Sequence, residues 1–195
     1  MKAVIVDIDG VVLHDNTALP GAPELVEWLV GSGRPFLFLT NYPSMTPADL
    51  AGPLPRRGAA GPDMIRRAAW LIQCGARFVA TNPDVAGPQG RPSCGALAAP
   101  IERISGKRPF YVGKPSAFMM RAALRYLQAH SEDTWMVGDN MDTDIIAGIQ
   151  SGLETVLVLS GVSRAEELPG YAYRPHHVAR DAHEVLAILR AHPRA

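Results

Sequence analysis

Short apolar runs recur along the chain at Ala3–Val6, Pro35–Thr40, Phe78–Thr81, Pro109–Val112, Thr134–Val137 and Thr155–Leu159. They are mostly β-branched or aromatic, which predicts buried strands. Between them, apolar residues fall at helical spacing. A helix is expected at Pro23–Val30, after a Pro-Gly turn. Another is expected over Asp63–Cys74, where Ile65, Ala68, Ala69 and Ile72 share a face and Gly75 ends the pattern. Ser116–His130 carries Phe118, Ala122, Leu124 and Leu127, with Pro115 placed to start that helix. Asp144–Gln150 stops at Gly152, and Asp181–Ala191 closes the chain. Gly75 and Gly152 fit C-terminal helix caps. Strands alternating with helices of this length predict βαβ units around a parallel sheet.

One stretch breaks this rhythm. Between residues 43 and 62 the long apolar residues are Met45, Leu50 and Leu54, and Pro43, Pro47, Pro53, Pro55 and Pro62 punctuate it. No strand pattern lies between Thr40 and Phe78. An irregular stretch of this length inside a domain reads as a functional loop, a linker or the scar of a deletion.

Composition narrows the function classes. The 195 residues suffice for one domain with a core and a small insertion. Nineteen basic residues balance nineteen acidic ones, so no general field draws the chain to a nucleic acid polymer or an anionic membrane. Cys74 and Cys94 form neither a disulfide scaffold nor a close-spaced metal pattern. Asp7 and Asp9 interrupt the first apolar stretch, which is unlike a signal-peptide core. No apolar run approaches the roughly 20 residues of a membrane span. A cytoplasmic protein is the expectation.

The candidate chemistry sits past the strand ends. Ala3–Val6 runs into Asp7, Asp9 and Gly10. Strand alternation would point both carboxylates the same way, where they need a cation, a shared proton or water. Thr40-Asn41 follows the strand Phe36–Leu39. Gly113-Lys114-Pro115 joins a strand to a helix, and Gly138-Asp139-Asn140, with Asp142 and Asp144, follows Trp135–Val137. Singly, these are ordinary turns, a solvated lysine and helix-start acids. Together they lie where open parallel sheets bind ligands. Asp7, Asp9 and Asp139 are hard oxygen donors suited to Mg²⁺. Thr40 and Asn41 offer donors to phosphate oxygens, and Lys114 a compact positive charge. One of the paired aspartates could attack phosphorus while the other protonates the leaving oxygen and then activates water.

At these residues the chain resembles the haloacid dehalogenase (HAD) superfamily, and within it the NagD-like branch of nucleotide monophosphatases. The resemblance rests on VDIDGVV at 6–12, LTNYPS at 39–44, GARFVATNPD at 75–84, CGALAAPIERISGKRPFYVGKPS at 94–116 and VGDNMDTDIIAGIQSGLETVLVLSGVS at 137–163. It implies a HAD-like Rossmannoid three-layer α/β/α core with a mainly parallel sheet and a truncated class IIA-type cap. Residues 1–42 and 113–195 would form the core, and 43–112 the shortened cap.

By the same resemblance, Asp7 is the nucleophile and Asp9 the general acid/base whose backbone carbonyl also reaches Mg²⁺. Thr40 and Asn41 bind phosphate, Lys114 is the lysine of the third motif, Asp139 a direct metal ligand, and Asp144 the acid that holds the metal's water shell. Asn82 and Asp84 belong to a cap loop that helps choose the substrate. The implied activity is Mg²⁺-dependent hydrolysis of small phosphomonoesters, nucleoside 5′-monophosphates among them, through an aspartyl-phosphate. Relatives carry more sequence between the second and third motifs. The loss, placed between Leu50 and Met64, would include the third core strand and the first half of the cap, opening a sheet edge and exposing apolar cap surface; either a second copy covers them or the chain is less stable than its relatives. The alternative is a non-catalytic or weakly active phospholigand-binding protein left by cap truncation. An acid-pocket receiver domain fits less well, because its acid pair is adjacent and has no DxDG turn.

Overall fold

The computed structural model describes residues 2–14, 17–41, 62–86 and 92–192. The chain divides into two units, Met1–Thr40 with Lys114–Ala195, and Asn41–Gly113.

The first unit is built on a parallel sheet. Its strands are β1 (Ala3–Val6), β4 (Phe36–Phe38), β7 (Thr134–Gly138), β8 (Glu154–Val158) and β9 (His177–Ala179), in the spatial order β4-β1-β7-β8-β9. A small antiparallel pair, β2 (Leu13–His14) and β3 (Thr17–Ala18), follows β1. A strand covered on both faces must be apolar at every position, and β1 is buried throughout.

Alternation sends Val4, Val6, Trp135, Val137, Val156 and Val158 to one face. There they pack with Leu25 and Leu29 of α1 (Ala22–Gly31) and Val185 and Leu189 of α6 (Ala182–Ala191). Ile5 and Met136 face the other way, against Met120 and Ala123 of α4 (Ala117–Leu127) and Ala147 of α5 (Ile146–Gln150). The result is the expected three-layer α/β/α core.

Local chemistry sets the helix ends. Pro23 opens the first turn of α1, where its missing N–H is no loss. Asp181 caps α6 by accepting from the Glu184 N–H. Pro115 does not start α4. The helix begins at Ala117, because the Ser116 hydroxyl caps it by accepting from the Phe118 N–H. The expected helix over 144–150 is preceded by a π-turn, Met141–Ile145, before α5.

The second unit pairs α2 (Pro62–Gln73) with α3 (Cys94–Ser105) beside two parallel strands, β5 (Val79–Ala80) and β6 (Phe110–Tyr111). The inner face of α2 carries the expected Ile65, Ala68, Ala69 and Ile72, all buried or half-buried. Trp70, Val79 and Phe110 are more than half exposed. The proline-rich residues 42–61 lie outside the described residues, and so does the strand expected to be missing there.

Leu25 is wholly buried between helix and sheet. Leu25→Ala should lower the unfolding free energy by about 2–5 kcal/mol in urea titration. Tyr126→Ala, on the exposed face of α4, should stay within about 0.5 kcal/mol of wild type. Equal effects from the two would refute this placement of the core.

Candidate active site

Strand β1 ends at Val6, so strand alternation does not aim the two acids. The Asp7 N–H still extends the ladder, donating to the Val137 carbonyl at 2.9 Å. The chain then turns tightly, with the Val12 and Leu13 amides both donating to the Ile8 carbonyl. Gly10 takes φ 77°, in the left-handed region that favours glycine. Asp7 is thereby buried and Asp9 exposed, where it accepts from the Thr40 hydroxyl at 3.2 Å.

Lys114 lies at the centre of the acids. Its Nζ is 2.6 Å from Asp7 Oδ1, 2.7 Å from Asp144 Oδ1 and 3.2 Å from the Leu39 carbonyl oxygen. Lys114 follows the strand 110–111, as expected, but that strand pairs with β5 in the second unit and is no part of the central sheet. Asp139 follows β7. Its Oδ2 accepts from the Val162 N–H at 2.7 Å, and a Cβ on Gly10 or Gly161 would come within 2.3 or 1.9 Å of that same oxygen. Both positions therefore require glycine. Asp144 sits on the π-turn, completely buried, with its Oδ2 accepting from the Asn140 N–H.

Carboxylate oxygens of Asp7, Asp139 and Asp144 lie within 4.8 Å of one another. Carboxylates that close repel by roughly 3–4 kcal/mol at an effective dielectric near 20, and one ammonium cannot balance three buried acids. Burial first, then the Asp144 carboxylate, hold Asp7 well above the usual carboxylate range, although Lys114 pulls the other way. Burial and Asp144 likewise push Asp139 up to about 6, against the Val162 N–H and Lys114. Burial works against the charge of Lys114, but Asp144 and Asp7 outweigh it and hold the ammonium above its ordinary value.

A divalent cation fits this set. The donors are hard oxygens, negative charge is in excess, and two oxygens remain open. Both Asp144 oxygens are engaged, whereas Asp7 Oδ2 and Asp139 Oδ1 have no partner from another described residue. The Asp9 carboxylate is not part of the cluster, so its expected link to a metal rests on its backbone alone.

Asp7, Asp9, Thr40, Lys114, Asp139 and Asp144 thus share one unit. Asn41, Asn82 and Asp84 belong to the other. Asn82 is buried, and its side chain donates to the Asn41 carbonyl at 2.7 Å and accepts from the Asp84 N–H at 3.1 Å. Asp84 is exposed. Sequence reasoning assigned no role to the loop after β8, which supplies Val162 and Gly161 to Asp139. The signals there were its place at another strand end and its position at the close of the resembling stretch 137–163.

Residues 4–64 match the family model described as haloacid dehalogenase-like hydrolase, and residues 111–185 one described as HAD-hydrolase-like. The chain belongs to the haloacid dehalogenase-like hydrolases. Within them it is 40% identical to ribonucleotide monophosphatase NagD of Escherichia coli strain K12 over 245 residues, covering 95% of this chain and 98% of the relative. It is 33% identical to dihydroxyacetone phosphatase of Corynebacterium glutamicum strain R, covering 89% of this chain and 86% of that protein. The solved structure of NagD from E. coli K-12 superposes with a TM-score of 0.85 at 40% identity, over 94% of this chain and 98% of that one. The NagD alignment runs over 245 residues against the 195 of this chain, so that relative carries sequence absent here. Among the described residues, no helix is long and apolar enough to cross a membrane.

A pH test follows for the metal-free protein. Because Asp139 is raised to about 6, its stability contribution is fully present below its unfolded value near 4. It is lost as pH rises through about 6. Divalent cation should therefore raise the melting temperature more at pH 7.5 than at pH 5, since protons compete for the same carboxylates. A shift as large at pH 5 would show that the ion binds elsewhere.

Proposed function

We propose that the chain is a Mg²⁺-dependent phosphomonoesterase that works through an aspartyl-phosphate. The observation that carries this reading is the grouping of Asp7, Asp139 and Asp144 around Lys114, with Asp9 and Thr40 beside them at one end of the sheet.

Asp7 and Asp139 would hold the ion directly, with Asp144 behind them. When bound, the cation supplies the positive charge that favours the ionised acids and offsets repulsion of an anionic phosphate. Lys114 holds the Asp7 carboxylate in place and favours its ionised form. An Asp7 oxygen attacks phosphorus, and the bond from phosphorus to the ester oxygen breaks. Asp9 gives its proton to that departing oxygen. Asp9 then takes a proton from water as the water oxygen attacks phosphorus. The aspartyl-phosphate bond breaks, releasing inorganic phosphate and restoring Asp7. Thr40 donates its hydroxyl to Asp9 when no substrate is bound, and that one proton would turn to a phosphate oxygen when substrate enters.

Small phosphomonoesters are the substrate class. The names of two relatives span a ribonucleotide monophosphatase and a dihydroxyacetone phosphatase. We place nucleoside 5′-monophosphates first, following the relative of higher identity. Residues 43–112 are read as a shortened cap, whose loop with Asn82 and Asp84 helps choose the substrate. The second reading, a phospholigand binder without turnover, draws on the sequence this chain lacks relative to NagD.

Purified protein should release phosphate from p-nitrophenyl phosphate with Mg²⁺ and stop with chelator. Asp7→Asn should lower kcat by about 10³-fold or more, and Asp9→Asn by about 10²–10⁴-fold. Wild type and Asp7→Asn turning over equally slowly would overturn the enzyme reading. In that case, a melting-temperature rise with phosphate would favour the binder. A phosphomonoester panel in which nucleotides rank no higher than sugar phosphates would overturn the choice of substrate.

A further inference from the structure

The loop after β8 touches both acid turns. Ser160 Oγ donates to the Gly10 carbonyl at 2.6 Å, which fixes the turn carrying Asp7 and Asp9. Three residues later, Ser163 is buried and holds the other turn. Its N–H donates to the Asp139 carbonyl at 3.0 Å, and its Oγ accepts from the Met141 N–H at 2.9 Å. Between these serines, Gly161 lies against the Asp139 carboxylate with no room for a Cβ, and the Val162 N–H binds it.

The chain then runs through a short 3₁₀ turn at Ala165–Gly170 and returns. Tyr173 donates its hydroxyl to the Met141 carbonyl at 2.9 Å, and Tyr171 donates to Asp142 Oδ2 at 3.0 Å. Both rings pack, with Leu168, against the buried Met141, Ile145 and Leu157.

Met141 is therefore held at both its N–H and its carbonyl by one strap. That carbonyl also accepts the Ile146 N–H, one of two i→i+5 bonds of the π-turn, the other running from the Ile145 N–H to the Asn140 carbonyl. A π-turn is a rare local choice, since an ordinary helix would accept at i+4. The Tyr173 hydroxyl and the Ser163 Oγ supply the outside bonds that favour it. Asp144 lies on that turn, three residues on, with its N–H bonded to the Asn140 carbonyl at 3.0 Å and its Oδ1 2.7 Å from Lys114 Nζ.

We propose that the strap 160–173 sets the spacing and orientation of the metal-binding acids, with Ser163 and Tyr173 as positioning residues that act through Met141. This rests on the metal-dependent reading above. Neither residue touches the ion or substrate in this account, so their loss should appear in ion affinity before it appears in KM. Outer partners of metal ligands typically change affinity by about 10–100-fold when removed.

The test is titration of metal-free wild type, Ser163→Ala and Tyr173→Phe with Mg²⁺ by calorimetry, and with Mn²⁺ by electron paramagnetic resonance. Near-ultraviolet circular dichroism checks the fold. Both variants should bind either ion about 10-fold or more weakly than wild type. At saturating ion, their KM for p-nitrophenyl phosphate should match wild type and much of kcat should return. If Ser163→Ala fails to fold, Tyr173→Phe decides alone, because it removes one hydroxyl from a half-buried ring. Folded variants with wild-type ion affinity would overturn the strap's role while leaving the phosphatase reading intact. A wild type that binds neither ion would overturn the metal-dependent reading and the strap's role with it.

Discussion

The charge balance around Lys114 governs the rest of the site. A fully buried ammonium is costly unless carboxylates meet it, and removing one partner of such a pair typically destabilises by about 3–5 kcal/mol. Here Asp7 and Asp144 meet it, at 2.6 and 2.7 Å. Those contacts fix one oxygen of each acid and leave Asp139 as an uncompensated third charge. Burial raises Asp139 and Asp7 toward protonation. The protein alone therefore holds a strained electrostatic arrangement, which a bound divalent cation would relieve.

Backbone geometry keeps that arrangement from relaxing. Asp7 sits at the end of a strand buried on both faces, and its own N–H continues the ladder to β7. Asp139 follows the neighbouring strand directly. Two adjacent strand ends thus deliver two carboxylates side by side, as parallel sheets do at their C-terminal edge. Gly10 and Gly161 close over Asp139 from two directions, leaving its carboxylate little freedom to swing away from Asp7. Repulsion between the acids is borne by the sheet and by packed backbone, both far stiffer than a side-chain rotamer.

How much of this was legible depended on the range of the interaction involved. Strands β1, β7 and β8 were visible because burial makes each of them a near-continuous apolar run, and Asp7 and Asp139 were visible because each follows one. Lys114 was visible after the run 109–112, whose strand belongs to the second unit. The strand His177–Ala179 escaped because it is short and alternates buried with exposed positions. Helix α3 escaped because Pro100 lies inside it, where proline ordinarily argues against a helix. The π-turn had no local signal, since its outside bonds come from Ser163 and Tyr173, 22 and 32 residues away from Met141. The alternation expected to point Asp7 and Asp9 the same way ended at Val6. The turn instead gave them opposite environments, which suits a buried nucleophile and an exposed proton carrier better than a shared face would.

The division into two units also bears on what a shortened insertion can change. Every group assigned to bond making and breaking, from Asp7 through Asp144, lies in Met1–Thr40 with Lys114–Ala195. Shortening the other unit removes none of them. What a cap contributes is exclusion of water and recognition of the non-reacting part of the substrate. Interactions with that remote part can strengthen binding or help drive the chemical step. A chain with intact acids and a reduced cap should therefore keep its chemistry on small or activated esters. It should lose most on substrates whose bulk lies away from the phosphate. Trp70, Val79 and Phe110 are exposed apolar surface on that other unit, as the expected shortening of the insertion would leave it.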